Sequence, residues 1–432
     1  MMQHPLMTPR RNQLNKAGYV LVTVMIFTAC ASLLVFGLMN QSMSWMKIAA
    51  NKESLEGALF AADGGCNLCL AYIMAGNPVP ATISGSIGEG TYSARITLMG
   101  GSSILNYSLC STGIVRGVRR IVTMDYVHSQ SWAEYAMWYN TQLSGIQFVT
   151  GDRFKGKVHS NCPINIGSGA APIFEQLVTS ASPTWGSGPA NAVFSNGFQL
   201  GVAAQTMSAI NFTNTASTQD CLRLQANLIL TGATTVGMSG TNFYITNSKR
   251  GWTNYNYGAI NPSVMTDGVM YVTSSGTSTG DINIAGTLDG RVTLVAEGNI
   301  NITNHVRYAV NPTNGPSNDA LGLISRKDII VTTNCPKDLD IYAHLIAEGG
   351  MTTATNDGQF TVTAYDTRPA SSCGNLNVYG GLVQNYRGPV GTGSSTGYLK
   401  NYIFDTRFAT NPPPHYPVVG DKYYWGGWRD SP

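Results

Sequence analysis

Lys16-Ala17-Gly18-Tyr19-Val20-Leu21-Val22-Thr23-Val24-Met25-Ile26-Phe27, continuing without a charge through Leu33, Leu34 and Phe36 to Met39, is the stretch on which the fold turns. Tyr19 to Met46 hold no Asp, Glu, Lys, Arg or His, and the strongly apolar part, Tyr19 to Met39, is 21 residues long. At about 1.5 Å of rise per helical residue it crosses a hydrocarbon core of about 30 Å. Val20, Leu21, Val22, Ile26, Phe27, Leu33, Leu34 and Phe36 are its anchoring side chains. Arg10, Arg11 and Lys16 precede it, and the first charge after it is Lys47. This Lys/Arg bias puts the N-terminus in the cytoplasm and everything after residue 46 outside. An ordinary secretory signal fits less well, because its apolar core is usually about 7–15 residues with a small-residue cleavage site behind it.

Downstream the pattern stays helical. Leu55, Leu59, Ala62, Cys66, Cys69 and Ile73 recur every three or four residues as one apolar seam, with Lys52, Glu53, Glu56, Asp63 and Asn67 off it. The spacing predicts one helix over 19–75, loosened near Gly64-Gly65 and stopped by Gly76-Asn77-Pro78. Cys66-Asn67-Leu68-Cys69 places both sulfurs on the seam, with no second Cys pair for zinc and no following His for haem, so it reads as packing.

Lys16-Ala17-Gly18 set directly against Tyr19-Val20-Leu21-Val22 resembles a type IV prepilin processing site. The resemblance implies Gly18 as the last residue of a basic leader (1–18) and Tyr19 as the mature N-terminus. It implies a prepilin peptidase and other pilin-like subunits as partners, and an inner-membrane anchor carrying an extracytoplasmic body that reaches the cell surface after assembly. Typical pilins carry Glu at the fifth mature position and this chain has Thr23, which favours a minor or tip-like role over that of a major subunit.

The body's composition is that of an extracellular β protein: charged residues make up 11% of the chain against about 25% on average, and there are 48 glycines. The net charge of +3 is scattered, which excludes the basic stripe of a nucleic-acid binder. Eight cysteines are too widely spread for a disulfide-dense domain, and seven lie outside the apolar span. Region 76–130 reads as an antiparallel strand module, from the alternation in 92–98, 105–113 and 119–127. A strand ending in Ser111-Thr112-Gly113 ahead of the Arg-bearing strand from Arg119 resembles the head of PilX-like pilus-assembly proteins. Ser131 to Asn140, Gly151 to Asn161, Tyr379 to Gly391 and Asn411 to Pro417 resemble an uncharacterised bacterial domain found behind prepilin-type anchors.

Region 131–280 reads as β-rich with variable Ser/Thr/Gly/Asn loops over about 175–280. In 281–410 short β-branched runs repeat behind a turn residue, at Asp281, Asn299, Asp328 and Asn375, with further runs from Val292, Leu321, Ile341 and Tyr379 between them. Rungs this short bury a core only when stacked, so a parallel β-helix or solenoid is the expected body, with a β-sandwich as the alternative. The aromatic tail 411–432 is expected to cap the last rung, or to form a partner or sugar-binding patch.

No catalytic constellation stands out. Glycan cleavage needs two converging carboxylates about 5 to 9.5 Å apart. Asp281, Asp328, Glu297 and Glu348 occupy repeated turn positions, where Asp and Glu serve the backbone. His4, His128, His159, His305, His344 and His415 include no pair at metal-binding spacing, and Gly391 to Gly397 has the wrong spacing for a nucleotide loop and reads as a connector. The sequence therefore predicts a mainly β protein on one long N-terminal helix, with no cofactor and no enzymatic activity. A surface-anchored enzyme or binding module acting on a surface glycan is the alternative.

Overall fold

The computed structural model describes residues 14–75, 77, 79, 81–100, 106–205, 212, 221–259, 268–349, 357–393 and 395–432. Leader residues 1–13, with Arg10 and Arg11, lie outside the described residues, as do His4, Gly76 and Pro78. The chain is mainly β with one long N-terminal helix.

That helix, α1 (Leu14–Met74), is rich in Ala, Leu and Met and contains no proline, so nothing interrupts its ladder. It ends where Asn77 Nδ2 donates to the Tyr72 carbonyl at 3.1 Å, satisfying one of the last turn's orphan acceptors. The chain then forms an antiparallel meander of β1 (Ala81–Ile87), β2 (Gly90–Gly100), β3 (Asn106–Val115) and β4 (Val118–Ser131), each paired with the next. The fifth strand comes from the other end of the chain. Val418–Ser431 pairs antiparallel with β4, Trp425 opposite Val127 and Trp428 opposite Met124. Residues 418–431 of the tail expected to cap a rung form an edge strand of this head sheet, held by a bidentate Arg120–Asp430 pair and by Trp428 Nε1 donating to Asp63 Oδ1 of α1 at 3.0 Å.

The remaining strands form one large sheet with mostly parallel pairing. Like residues stand in columns: Ile282, Ile300, Ile329 and Phe360 are successive partners in one, and Leu323, Leu345, Leu382, Met137, Val158 and Val178 in another. The second column shows an order the sequence does not suggest. Tyr135–Gln142 stacks on Asn375–Arg387, so the 135–200 segment continues a stack whose other end is Leu228–Thr231. An asparagine ladder crosses this junction: Asn140 Nδ2 donates to Asn385 Oδ1, and Asn161 Nδ2 to Asn140 Oδ1, both at 3.0 Å. Parallel pairing is therefore not confined to 281–410. Within 175–280, read as loops, lie Leu228–Thr231, Thr234–Gly240, Asn242–Asn247 and Trp252–Ala259.

The turn acids show why these strands start where they do. Asp281 Oδ1 accepts from the Asn299 amide at 2.7 Å, Asn299 Oδ1 from the Asp328 amide at 3.1 Å, and Asp328 Oδ1 from the Gly358 and Gln359 amides at 2.9 and 2.8 Å. Each side chain caps the next rung. Asn375 belongs to a different column, where its amide donates to Asp338 Oδ1, and Gln359 holds the fourth place. Gly391 and Gly397 form an antiparallel bridge and the Thr392 amide donates to the Thr396 carbonyl, with Ser394 between them outside the described residues.

One ladder of the stack is buried on both faces. Leu294, Leu323, Leu345 and Leu382 point into the interior, while Tyr271, Val295, Ile324, Ile346 and Val383 point outward. Phe212 and Leu222 cover the outward row together with Phe408, Tyr416 and Val419 of the C-terminal segment, which buries apolar side chains at roughly 1.5–3 kcal/mol each. His344 ties this cover down. Its Nε2 donates to the Tyr135 carbonyl at 3.2 Å, leaving Nδ1 to accept from the Tyr416 hydroxyl at 2.6 Å.

Candidate functional site

The feature that asks for a partner is α1 itself. Every side chain from Tyr19 to Glu53 is exposed, including the predicted anchor residues Val20, Leu21, Val22, Ile26, Phe27, Leu33, Leu34 and Phe36. At about 1.5 Å per residue this bare half extends roughly 50 Å from the body. Gly18 lies within the same helix, one residue before Tyr19, which is 79% exposed. Exposed apolar surface on this scale marks a membrane or a protein interface. Both threonine hydroxyls inside it bond within the helix: Thr23 Oγ1 donates to the Tyr19 carbonyl at 2.7 Å and Thr28 Oγ1 to the Val24 carbonyl at 2.9 Å. Internal satisfaction of this kind is what a water-free surrounding requires.

From Ser54 onward the same helix lies on the head sheet. Ala62, Cys66, Cys69 and Ile73 of the predicted seam are buried there against Tyr92, Ala94, Ile96, Leu109, Val122 and Met124. The start of the seam is shifted. Leu59 is half-buried and Leu55 is 38% exposed, whereas Ser54, Ala58, Ala61 and Gly65 point inward. Smallness explains the shift, because the strands run too close for larger side chains. A Cβ on Gly113 of β3 would stand 2.1 Å from the Ala58 carbonyl oxygen and 2.5 Å from the Ala62 amide nitrogen, and one on Gly65 would stand 2.2 Å from Ser111 Oγ. Ser111-Thr112-Gly113 is thus where the sheet touches helix backbone. A hydrophobic pattern misses Ala58, Ala61 and Gly113; the sequence signal was a glycine inside a strand.

The thiols fit the packing role. Burial, reinforced by the neighbouring Cys69, pushes Cys66 up to about 12, and burial pushes Cys69 up to about 11, so neither is a thiolate near neutral pH. Cys66 Sγ donates to the Val122 carbonyl at 3.5 Å. All eight cysteines are free.

The acids and histidines weighed as chemistry are engaged elsewhere. Glu297 accepts from the Ser274 amide, the Thr273 hydroxyl and the Tyr271 hydroxyl at 2.7–2.8 Å. Burial alone would raise its pKa, yet these hydrogen bonds leave it below the ordinary glutamate value. Burial raises Asp328, which spends its Oδ1 on two backbone amides. Glu348 is buried beside the Gly349 turn. His159 is buried between Thr179 Oγ1 and Asn161 Oδ1, His305 accepts from the Asp340 amide, His128 packs near Tyr424, and His415 is half-buried in the covering segment. Among the described residues no group of three or more His, Cys, Asp or Glu could hold a metal ion.

No protein-family profile matches the chain, and no curated protein does. Among solved structures, the competence-associated pilin ComZ from Thermus thermophilus matches over 88% of this chain and 98% of its own, at 12% identity and a TM-score of 0.32. A likeness that loose leaves function to be argued from the residues of this chain.

Proposed function

We propose that this chain is a pilin-like, membrane-anchored subunit of a type IV pilus or related secretion filament. Tyr19 to Met39 lie in the inner membrane, the body is extracytoplasmic, and a prepilin peptidase removes 1–18 after Gly18. The observation that carries this reading is the division of α1 into a bare apolar half, charge-free from Tyr19 to Met46, and a half laid on an antiparallel sheet. The bare half serves the bilayer before assembly and the neighbouring subunits after it. Thr23 at the fifth mature position favours a minor component over a bulk one. In this reading the parallel ladders are a β-solenoid, a rigid display body on the pilin-like head. The glycan-enzyme alternative loses support because the acids it needs bind rung amides and hydroxyls.

Gly18→Val tests the proposal. A side chain at the scissile position blocks leader removal while the apolar span still inserts, and the retained Arg10, Arg11 and Lys16 hold the N-terminus inside. Drawing those cations through hydrocarbon costs several kcal/mol. The variant should accumulate in the inner membrane and disappear from sheared surface filaments. Incorporation at the wild-type level would overturn the reading.

A further inference from the structure

At the junction where Asn375–Arg387 stacks on Tyr135–Gln142 the strands stay in register, with Leu382 opposite Met137 and Arg387 opposite Gln142. The turns beside them part. Residues 143–147, 149–152, 387–393 and 398–402 line a cavity of about 830 Å³, within the span of small-molecule sites.

Its charge is unbalanced. Arg387, only 2% exposed, lines it with the guanidinium carbon 3.8 Å from the Phe148 ring centroid and 5.3 Å from that of Tyr139. Nη1 donates to Gln142 Oε1 at 3.2 Å and Nη2 to the Gln147 carbonyl at 3.3 Å. These use two of the five N–H donors of a guanidinium. The carboxylate in this wall, Asp152, is already paired with Lys400 at 2.7 Å and also accepts from the Val149 amide at 2.9 Å. A buried guanidinium and the partly exposed Lys400 ammonium thus stand in one wall with a single carboxylate, which pairs with Lys400. Ring faces and neutral acceptors offset only part of the desolvation of the guanidinium, and an anion placed there interacts far more strongly than in water. The rest of the lining mixes apolar and aromatic residues, Phe360, Leu382, Tyr398 and Tyr402, with neutral polar ones, among them Asn375, Gln384 and Asn401.

The geometry points to a binding site for a small organic carboxylate carried on an uncharged ring, an acidic monosaccharide being the type. The carboxylate takes the free edge of the Arg387 fork by paired N–H···O bonds, and the ring lies against the aromatic wall. This site stands whether or not the chain enters a filament.

Calorimetric titration of the full chain in detergent tests it, with galacturonate, its methyl ester, galactose and inorganic phosphate as probes. Galacturonate should bind near one to one, weaken as salt is added, and raise the melting temperature. The methyl ester and galactose, which keep the ring and lack the charge, should bind at least tenfold more weakly. Arg387→Gln should lose the response and Arg387→Lys retain part of it. Should Arg387→Gln fail to fold, the comparison of acid with ester on wild-type protein still decides. Equal binding of acid and ester, binding of phosphate as tight as that of galacturonate, or no binding of galacturonate would each overturn the assignment.

Discussion

The two halves of α1 share one backbone and a similar apolar content, yet they solve different problems. Residues 19–53 carry large side chains, Leu, Val, Phe, Ile and Met, all exposed, with only Glu53 at the end reaching the head, 3.8 Å from Arg116. Residues 54–73 turn inward Ser54, Ala58, Ala61, Ala62, Gly65 and the two cysteines, with Ile73 as the one large residue. Large residues maximise contact with a fluid or with subunits that can adapt; small ones admit a rigid sheet to within contact of helix backbone. The side chains that best reveal the helix in the sequence are therefore not those that fix its position on the head.

The sharpest way to break this comparison is to place the same substitution in both halves. Gly113→Val drives a side chain into the Ala58 carbonyl and the Ala62 amide, backbone atoms that cannot step aside, and should cost about 3 kcal/mol or more. Gly37→Val sits where nothing lies within 4 Å and should leave the melting of the body unchanged. Equal melting temperatures for the two variants in detergent would mean that the helix does not pack on the head.

A second, smaller effect belongs to the covered face of the stack. Burial holds His344 near a pKa of about 3, well below the ordinary value of 6.5, despite the opposing hydrogen bond to the Tyr135 carbonyl. A depressed histidine favours the neutral form in the folded state. Its contribution is complete above about pH 6.5 and is lost as pH falls towards 3, by at most about 1.4 kcal/mol per pH unit. His344→Gln, which is neutral throughout, should flatten that part of the acid limb in urea titrations between pH 7 and 4. An identical pH dependence in both proteins would show that His344 is not the group responsible.

Smaller again is the loss of one rung cap. Asp281→Ala removes the acceptor of the Asn299 amide and of the Thr279 hydroxyl, and should cost about 1–2 kcal/mol in urea unfolding while leaving far-UV dichroism intact. Smallest is Glu56→Lys. Its side chain is 71% exposed and only 3.9 Å from Lys52, and the change should stay within about 0.5 kcal/mol.

Which parts of this fold were legible in the sequence follows from the range of the forces involved. The helix, β2, β3 and β4 declare themselves by local period, and Asp281, Asn299 and Asp328 by the repeated need for a turn acceptor. The 135–200 strands do not, because ones such as Arg153–Phe154 and Ile173–Phe174 are too short to carry a period. Asn375 resembles the other strand starts in sequence yet opens a strand of a different column, whereas Gln359-Phe360 follows Asp328 through pairing alone. The C-terminal strand pairs with β4 some 300 positions earlier, and nothing local in Gly426-Gly427 announces the edge it completes. Arg387 and Lys400 look in the sequence like scattered surface charges; only the stacking of early chain on late chain brings them to one cavity wall.

The most direct measurement is the intact mass and N-terminal residue of the chain extracted from the membranes of its own host. The account predicts a mature protein beginning at Tyr19, cleaved after Gly18, with the whole apolar span retained. A chain beginning near Ala31 or Ala50 would show ordinary signal-peptide cleavage within α1, and would contradict the claim that its bare half is a permanent anchor.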